Sequence, residues 1–148
     1  MRVLLQRVRH AEVTIDGREV ASIGPGLLLL VGVGKGDPVS HVELLADKVA
    51  GLRVFEDDEG KTNLALADVA GEVLVVSQFT LYGDVRKGRR PSWTEAEDPQ
   101  VAAERVEALA DALHRRGLAV ARGVFGAHMQ VRLTNDGPFT LMLDAQRH

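Results

Sequence analysis

The chain of 148 residues is 45% hydrophobic and 26% charged with a net charge of −3, the balance of one soluble globular domain with its own core. Cysteine is absent, which excludes disulfides, thiolate catalysis and cysteine-ligated zinc and fits a reducing, cytoplasmic setting. No targeting segment is visible, the longest apolar run (27–31) is far too short to cross a bilayer, and overall basicity does not announce a nucleic-acid binder.

The first strand is predicted over 2–15. Its second half alternates, with Ala11, Val13 and Ile15 on one face and Glu12 and Thr14 on the other. Asp16-Gly17 reads as a tight hairpin turn into a strand at 19–23, which Gly24-Pro25-Gly26 breaks. Residues 27–33 form a continuous apolar run, the pattern of a strand buried on both faces. Gly32, Gly34 and Gly36 follow it and precede a helix. A dinucleotide loop, however, needs its third glycine where Asp37 stands, and Lys35 is not followed by Ser or Thr as in a P-loop. A carboxylate there would repel a pyrophosphate, so nucleotide binding is rejected.

Asp37-Pro38 reads as the N-cap and first residue of a helix to about 50, with Val42, Leu45, Val49 and Leu52 on one face and Gly51 as its C-terminal cap. A short strand at 52–55 leads into Glu56-Asp57-Asp58-Glu59-Gly60-Lys61. That acidic turn lacks the alternating ligands and distal Glu of a calcium loop. The next strand, Val73-Leu74-Val75-Val76, changes character abruptly at Ser77-Gln78-Phe79-Thr80. Two readings fit: a strand end meeting water, or polar groups held at the lip of a pocket. Arg86-Lys87-Gly88-Arg89-Arg90 follows directly, either a solvated basic loop or a local patch for a polyanion.

Asp98-Pro99 is a second N-cap pair, opening a helix to about 116 in which Ala102, Val106, Leu109 and Leu113 recur at helical spacing. His114, Arg115 and Arg116 occupy its last turn, where cations complement the helix dipole, and Gly117 ends it. The chain closes on an expected hairpin. Met129, Val131 and Leu133 alternate with Gln130, Arg132 and Thr134, and Phe139, Leu141 and Leu143 with Thr140, Met142 and Asp144, around Asn135-Asp136-Gly137-Pro138. No repeat or linker interrupts this order, which predicts a single α+β domain over 1–148 with mostly antiparallel, curved, barrel-like sheets and two main helices.

Familiar catalytic machinery is missing. His10, His41, His114, His128 and His148 form no metal-binding pair, there is no Gly-x-Ser-x-Gly elbow, and no carboxylate pair suggests glycoside chemistry. No metal or cofactor is expected. Gly137-Pro138 is unusual within the predicted hairpin, and local sequence does not set the isomer of its peptide bond.

Ser77-Gln78-Phe79-Thr80-Leu81 together with Asn135-Asp136-Gly137-Pro138-x-Thr140 resembles the D-aminoacyl-tRNA deacylase family. Leu5-Gln6-Arg7-Val8, Ile23-Gly24-Pro25-Gly26-Leu27, Phe55-x-Asp57-x-x-Gly60-Lys61-x-Asn63 and Arg90-Pro91-Ser92 look like further landmarks, so the likeness spans nearly the whole chain. It implies a homodimeric hydrolase cleaving the ester between a D-amino acid and the 3′-terminal adenosine of tRNA, with mischarged glycyl-tRNA a further substrate. Ser77, Gln78, Phe79 and Thr80 would hold the adenosine and ester. Gly137 and Pro138 would form a cis pair inserted from the partner subunit, excluding L-amino acids. Arg7 would fix that motif across the dimer, Met129 would line its surroundings, and Arg86, Lys87, Arg89 and Arg90 would contact tRNA. One departure is Phe139, where the family usually carries a smaller aliphatic residue.

An aminoacyl ester is already activated, so positioning and oxyanion stabilisation matter more than a strong nucleophile. Backbone N–H groups around Phe79 and Thr80, with the adenosine 2′-OH as the assisting group, suit that need. Two rivals remain at this level: a non-catalytic module gripping the tRNA acceptor stem, and a generic esterase using Thr80 as nucleophile.

Overall fold

The computed structural model describes residues 1–147, so His148 lies outside the described residues. The elements follow in the order β1 (Arg2–Ile15), β2 (Arg18–Ile23), β3 (Gly26–Gly32), α1 (Ser40–Gly51), β4 (Phe55–Glu56), β5 (Thr62–Leu64), β6 (Glu72–Ser77), α2 (Pro99–Arg115), β7 (Ala119–Arg122) and β8 (Gln130–Asp144). Asp16 and Gly17 both take positive φ, +50° and +76°, giving β1 and β2 the tight turn that the Asp-Gly pair predicts.

β1 organises the sheet. Its first half pairs antiparallel with β3, its second half with β2, and β8 runs antiparallel along its length. From β3 the sheet continues through β6 to β7, both in parallel register. The sheet is therefore antiparallel around β1 and parallel around β6, which accounts for the unbroken apolar runs of β3 and β6. It also curls: β2 comes back into contact with β6 and β7, giving the barrel-like shape.

The two faces bury separate clusters. Toward the helices, Leu5, Leu27, Leu29, Val73 and Val75 pack against Val42, Leu45 and Val49 of α1 and Leu109 and Leu113 of α2. On the other face Val8, Ala11, Val13, Ile23, Leu28, Leu74 and Val76 fill the inside of the curl. α2 starts as its sequence predicts, with the Asp98 carboxylate accepting from the Gln100 N–H at 2.9 Å and Pro99 in the first turn. Arg116 ties its far end to Glu43 and Asp47 of α1 at 2.8 and 2.6 Å. Asp57 receives the N–H groups of Glu59 and Lys61, so the acidic run is a turn closed on itself.

Three expectations are corrected. Asp37 does not cap α1, which begins at Ser40 behind Val39 with no side-chain cap. Its carboxylate is buried instead, receiving the Met1 ammonium, the Gly34 N–H at 2.6 Å and the Tyr82 hydroxyl at 3.2 Å. Burial raises its pKa, but the Met1 ammonium and the Gly34 N–H, with His41 alongside, outweigh that and hold it below the ordinary value. A charged partner from elsewhere in the chain takes the carboxylate that local pattern assigns to the helix. The strand expected at 52–55 is only Phe55–Glu56, and Gly51 is the last residue of α1 rather than the cap beyond it.

The third correction concerns the C-terminal hairpin. β8 is one continuous strand, and both its halves pair with β1. Val131 faces Val13 and Leu143 faces Val3, while Asn135 faces Val8 and Thr140 faces Gln6. Residues 136–139 thus stand opposite Arg7 alone and bulge out of the ladder.

Candidate active site

β6 ends at Ser77, which faces Val31 of β3. The Gln78 N–H still donates to the Val31 carbonyl at 2.7 Å, and beyond that bond the chain leaves the sheet into a short 3₁₀ turn, Phe79–Tyr82. Pairing with β3 therefore carries the polar segment up to Gln78 and then releases it. The Gln78 amide donates to the Thr80 hydroxyl, and the turn closes with the Gly83 N–H on the Thr80 carbonyl at 3.0 Å. The N–H groups of Phe79 and Thr80, first in the turn, have no acceptor among the described residues. Phe79 is 53% exposed although its ring is large and apolar.

A cavity of about 290 Å³ opens at this strand end. Ser77, Gln78 and Phe79 line one side, and Phe125, Ala127, His128 and Met129 line the other. Its far wall is the loop between β7 and β8, whose Val124 N–H donates to the Met129 sulfur at 3.4 Å. Of the predicted residues, Ser77, Gln78, Phe79 and Met129 are thus brought together, while Thr80 stands exposed beside them. Phe125, an exposed aromatic between Val124 and Gly126, was missed, and His128 entered the sequence reading only as a histidine in no metal-binding pair.

Gly137 and Pro138 do not line this cavity. They sit exposed in the β8 bulge, joined by a cis peptide bond. Arg7 grips that bulge within the chain. Its guanidinium donates to the carbonyls of Asp136 at 3.1 Å and Gly137 at 3.4 Å, and to the buried carbonyl of Val54 at 2.5 Å. The Asp136 carboxylate lies 3.2 Å from Arg7 Nε, and the Phe139 ring supports the guanidinium face at 4.5 Å. Phe139 also packs against the main core, which absorbs the bulk that set it apart in the sequence. Asn135 closes the bulge from the other side, its amide donating to the Arg7 carbonyl at 2.9 Å and the Phe139 carbonyl at 3.2 Å.

The basic segment is a loop closed at its base by an antiparallel bridge between Asp84 and Ser92, with hydrogen bonds of 2.8 and 2.9 Å. Arg86 is engaged by Asp84 at 2.6 Å, and that hydrogen bond, with the Arg86 N–H, holds the Asp84 pKa down at about 2. Lys87, Arg89 and Arg90 are exposed. Among the described residues no three His, Asp or Glu side chains gather as a metal set, and no helix is long and apolar enough to cross a membrane.

Known proteins resemble this chain over nearly its whole length. A D-aminoacyl-tRNA deacylase of Roseiflexus castenholzii is 57% identical over 98% of this chain and 92% of its own length. That of Thermomicrobium roseum is 60% identical over 98% of this chain and 94% of its own. Among solved structures, a c-Myc DNA unwinding element binding protein, 36% identical, superposes with a TM-score of 0.90 over 97% of this chain and 98% of its own. A probable eukaryotic D-amino acid tRNA deacylase, 18% identical, shares the fold with a TM-score of 0.82 over 96% of this chain and 97% of its own. The family model described as D-Tyr-tRNA(Tyr) deacylase matches residues 4–144, and the chain belongs to that family.

Proposed function

We propose that this protein is a D-aminoacyl-tRNA deacylase: it hydrolyses the ester that joins a D-amino acid to the 3′-terminal ribose of tRNA. The observation that carries the reading is a division of parts. The cavity beside Ser77, Gln78 and Phe79 is open and small, at the lower edge of ligand-site volumes, whereas Gly137 and Pro138 are displayed elsewhere, on a rigidly held bulge. Among the described residues β8 pairs only with β1, so the strand that carries the bulge has a free edge. A second copy of the chain docked there would bring its Gly137-Pro138 to the cavity, and the working form is a homodimer with a cross-subunit site.

In that site the adenosine rests against Phe79 and the Phe125–Met129 loop, with Met129 lining the surroundings of the ester. The free N–H groups of Phe79 and Thr80 receive the negative charge that develops on the ester oxygen. Water adds to the carbonyl carbon, the carbon–oxygen bond to the ribose breaks, and the ribose oxygen takes up a proton. The products are the free D-amino acid and tRNA. The neighbouring 2′-OH relays the proton, and the one imidazole lining the cavity is that of His128. The partner's Gly-Pro backbone fills the space that an L side chain would need, while a hydrogen fits, so glycine esters are cleaved as well. Lys87, Arg89 and Arg90 meet the tRNA backbone, and the enzyme works in the cytoplasm, where charged tRNA is used.

The test is release of amino acid from tRNA charged with D- or L-tyrosine. Release of the D form only, with no metal added, supports the reading. Equal release of both removes the chiral role, and salt-dependent binding of uncharged tRNA without turnover reduces the protein to a binding module.

A further inference from the structure

The chain contains one tryptophan, Trp93, and its place is unusual. It follows the Asp84–Ser92 bridge that closes the basic loop, and it remains 42% exposed. Its ring meets that of Phe79 edge to face, with centroids 5.3 Å apart and planes inclined by 69°. An independent feature belongs to the same contact. Gly83 has an ordinary φ of −64°, so its backbone does not demand glycine. A Cβ there would nevertheless come within 2.6 Å of the Trp93 ring and 3.0 Å of the Thr80 carbonyl. The indole lies directly against the backbone that ends the Phe79–Tyr82 turn.

We propose that Trp93 is a positioning residue for the reaction: through Phe79 and Gly83 it fixes the 3₁₀ turn that forms one wall of the cavity. This inference rests on the proposed ester hydrolysis and adds a residue to it. Phe79 cannot be held by burial, because half of its surface faces solvent. An aromatic edge against its ring selects one orientation and leaves the other face for the substrate. The contact also links the cavity to the basic loop, since Trp93 directly follows Ser92, where the bridge to Asp84 closes the loop that carries Arg86–Arg90. Trp93 does not line the cavity, so its removal loosens the wall without deleting a reacting group.

Phe79 in its productive orientation is then a fraction of the population in a variant lacking the aromatic edge. Trp93→Leu lowers kcat on D-aminoacyl-tRNA by about 2- to 13-fold, the factor that one edge-to-face pair represents, with KM for tRNA within about twofold. Trp93→Phe, which keeps an aromatic edge, restores kcat to within about twofold of the parent. Gly83→Ala displaces the indole without removing it and lowers kcat in the same direction. The single tryptophan supplies a direct readout: an amide-linked D-aminoacyl adenosine, which is not cleaved, shifts the emission of the parent protein on binding. Equal kcat in Trp93→Leu and the parent, or equal losses in the Leu and Phe variants, overturns the inference. Should Trp93→Leu fail to fold, an emission unmoved by saturating analogue overturns it. Failure of the functional reading looks different, because the parent protein itself would then release no D-amino acid.

Discussion

Arg7 offers the sharpest test of how the Gly137-Pro138 bulge is held. The residue is 5% exposed and donates to three backbone carbonyls, those of Val54, Asp136 and Gly137. Hydrogen bonds from a charged donor are each worth about 1.5–3 kcal/mol. In Arg7→Met, the exposed bulge carbonyls regain water, but the buried Val54 carbonyl loses its partner and the Asp136 carboxylate keeps only Arg9, 3.8 Å away. The net cost is about 3–5 kcal/mol, the range for breaking one side of a buried charged contact. At about 2–4 °C per kcal/mol for a chain of this size, Tm falls by about 6–20 °C. Arg7→Lys falls roughly half as far, because one ammonium cannot span the Val54 and Asp136 carbonyls together. Thermal unfolding followed by circular dichroism measures the loss. Below the melting range of every variant, the ratio of D- to L-tyrosyl-tRNA hydrolysis should narrow in the same order, parent, Lys, Met. A Tm within about 2 °C of the parent, together with an unchanged ratio, would refute the view that Arg7 holds the bulge.

Other outcomes follow from the same geometry. Asp37 has a lowered pKa in the folded protein, so its contribution is present above the unfolded value near 3.8 and is lost as pH falls through the folded one. Asp37→Asn should therefore lower Tm at neutral pH, and the two melting curves should converge in a series as pH falls below 3.8. Replacing the terminal adenosine 2′-OH by hydrogen should slow hydrolysis by about 100-fold or more, against about tenfold for Thr80→Ala. The reverse ranking would make Thr80 the nucleophile. Single alanine variants at Lys87, Arg89 or Arg90 should each reduce the slope of log affinity against log salt by about 1. Arg86→Ala should leave that slope nearly unchanged, because Arg86 is already engaged by Asp84.

The sequence made some of this legible for clear reasons. The Asp98-Pro99 helix start, the Asp16-Gly17 turn and the apolar runs of β3 and β6 are local signals, and the structure keeps them. Asp37 looked identical to Asp98 in its dipeptide, yet the Met1 ammonium, 36 residues away in the chain, takes its carboxylate. The supposed C-terminal hairpin failed on the same kind of distance. Alternation on both sides of Asn135-Asp136-Gly137-Pro138 is what a hairpin and a bulged single strand share. What separates them is a common partner, β1, that no local window contains. At the cavity, Ser77, Gln78 and Phe79 meet because they are consecutive, a relation visible in the string, whereas Met129 came only from the family resemblance. Phe125 and Trp93 were not legible, since an exposed aromatic in a loop has no meaning until its neighbour is known.

The pairing of β1 with β8 also bears on how the chain is made. Arg2 lies opposite Asp144, 142 positions further along, so β1 waits for residues far along the chain to complete its ladder. Until β8 emerges, β1 has only β2 and β3 beside it, and its other edge is bare over the whole strand. Contacts of such long sequence separation slow folding. The Gly137-Pro138 bulge, formed only against Arg7, is then among the last features to take shape. A chain lacking β8 cannot yet present the Gly137-Pro138 motif.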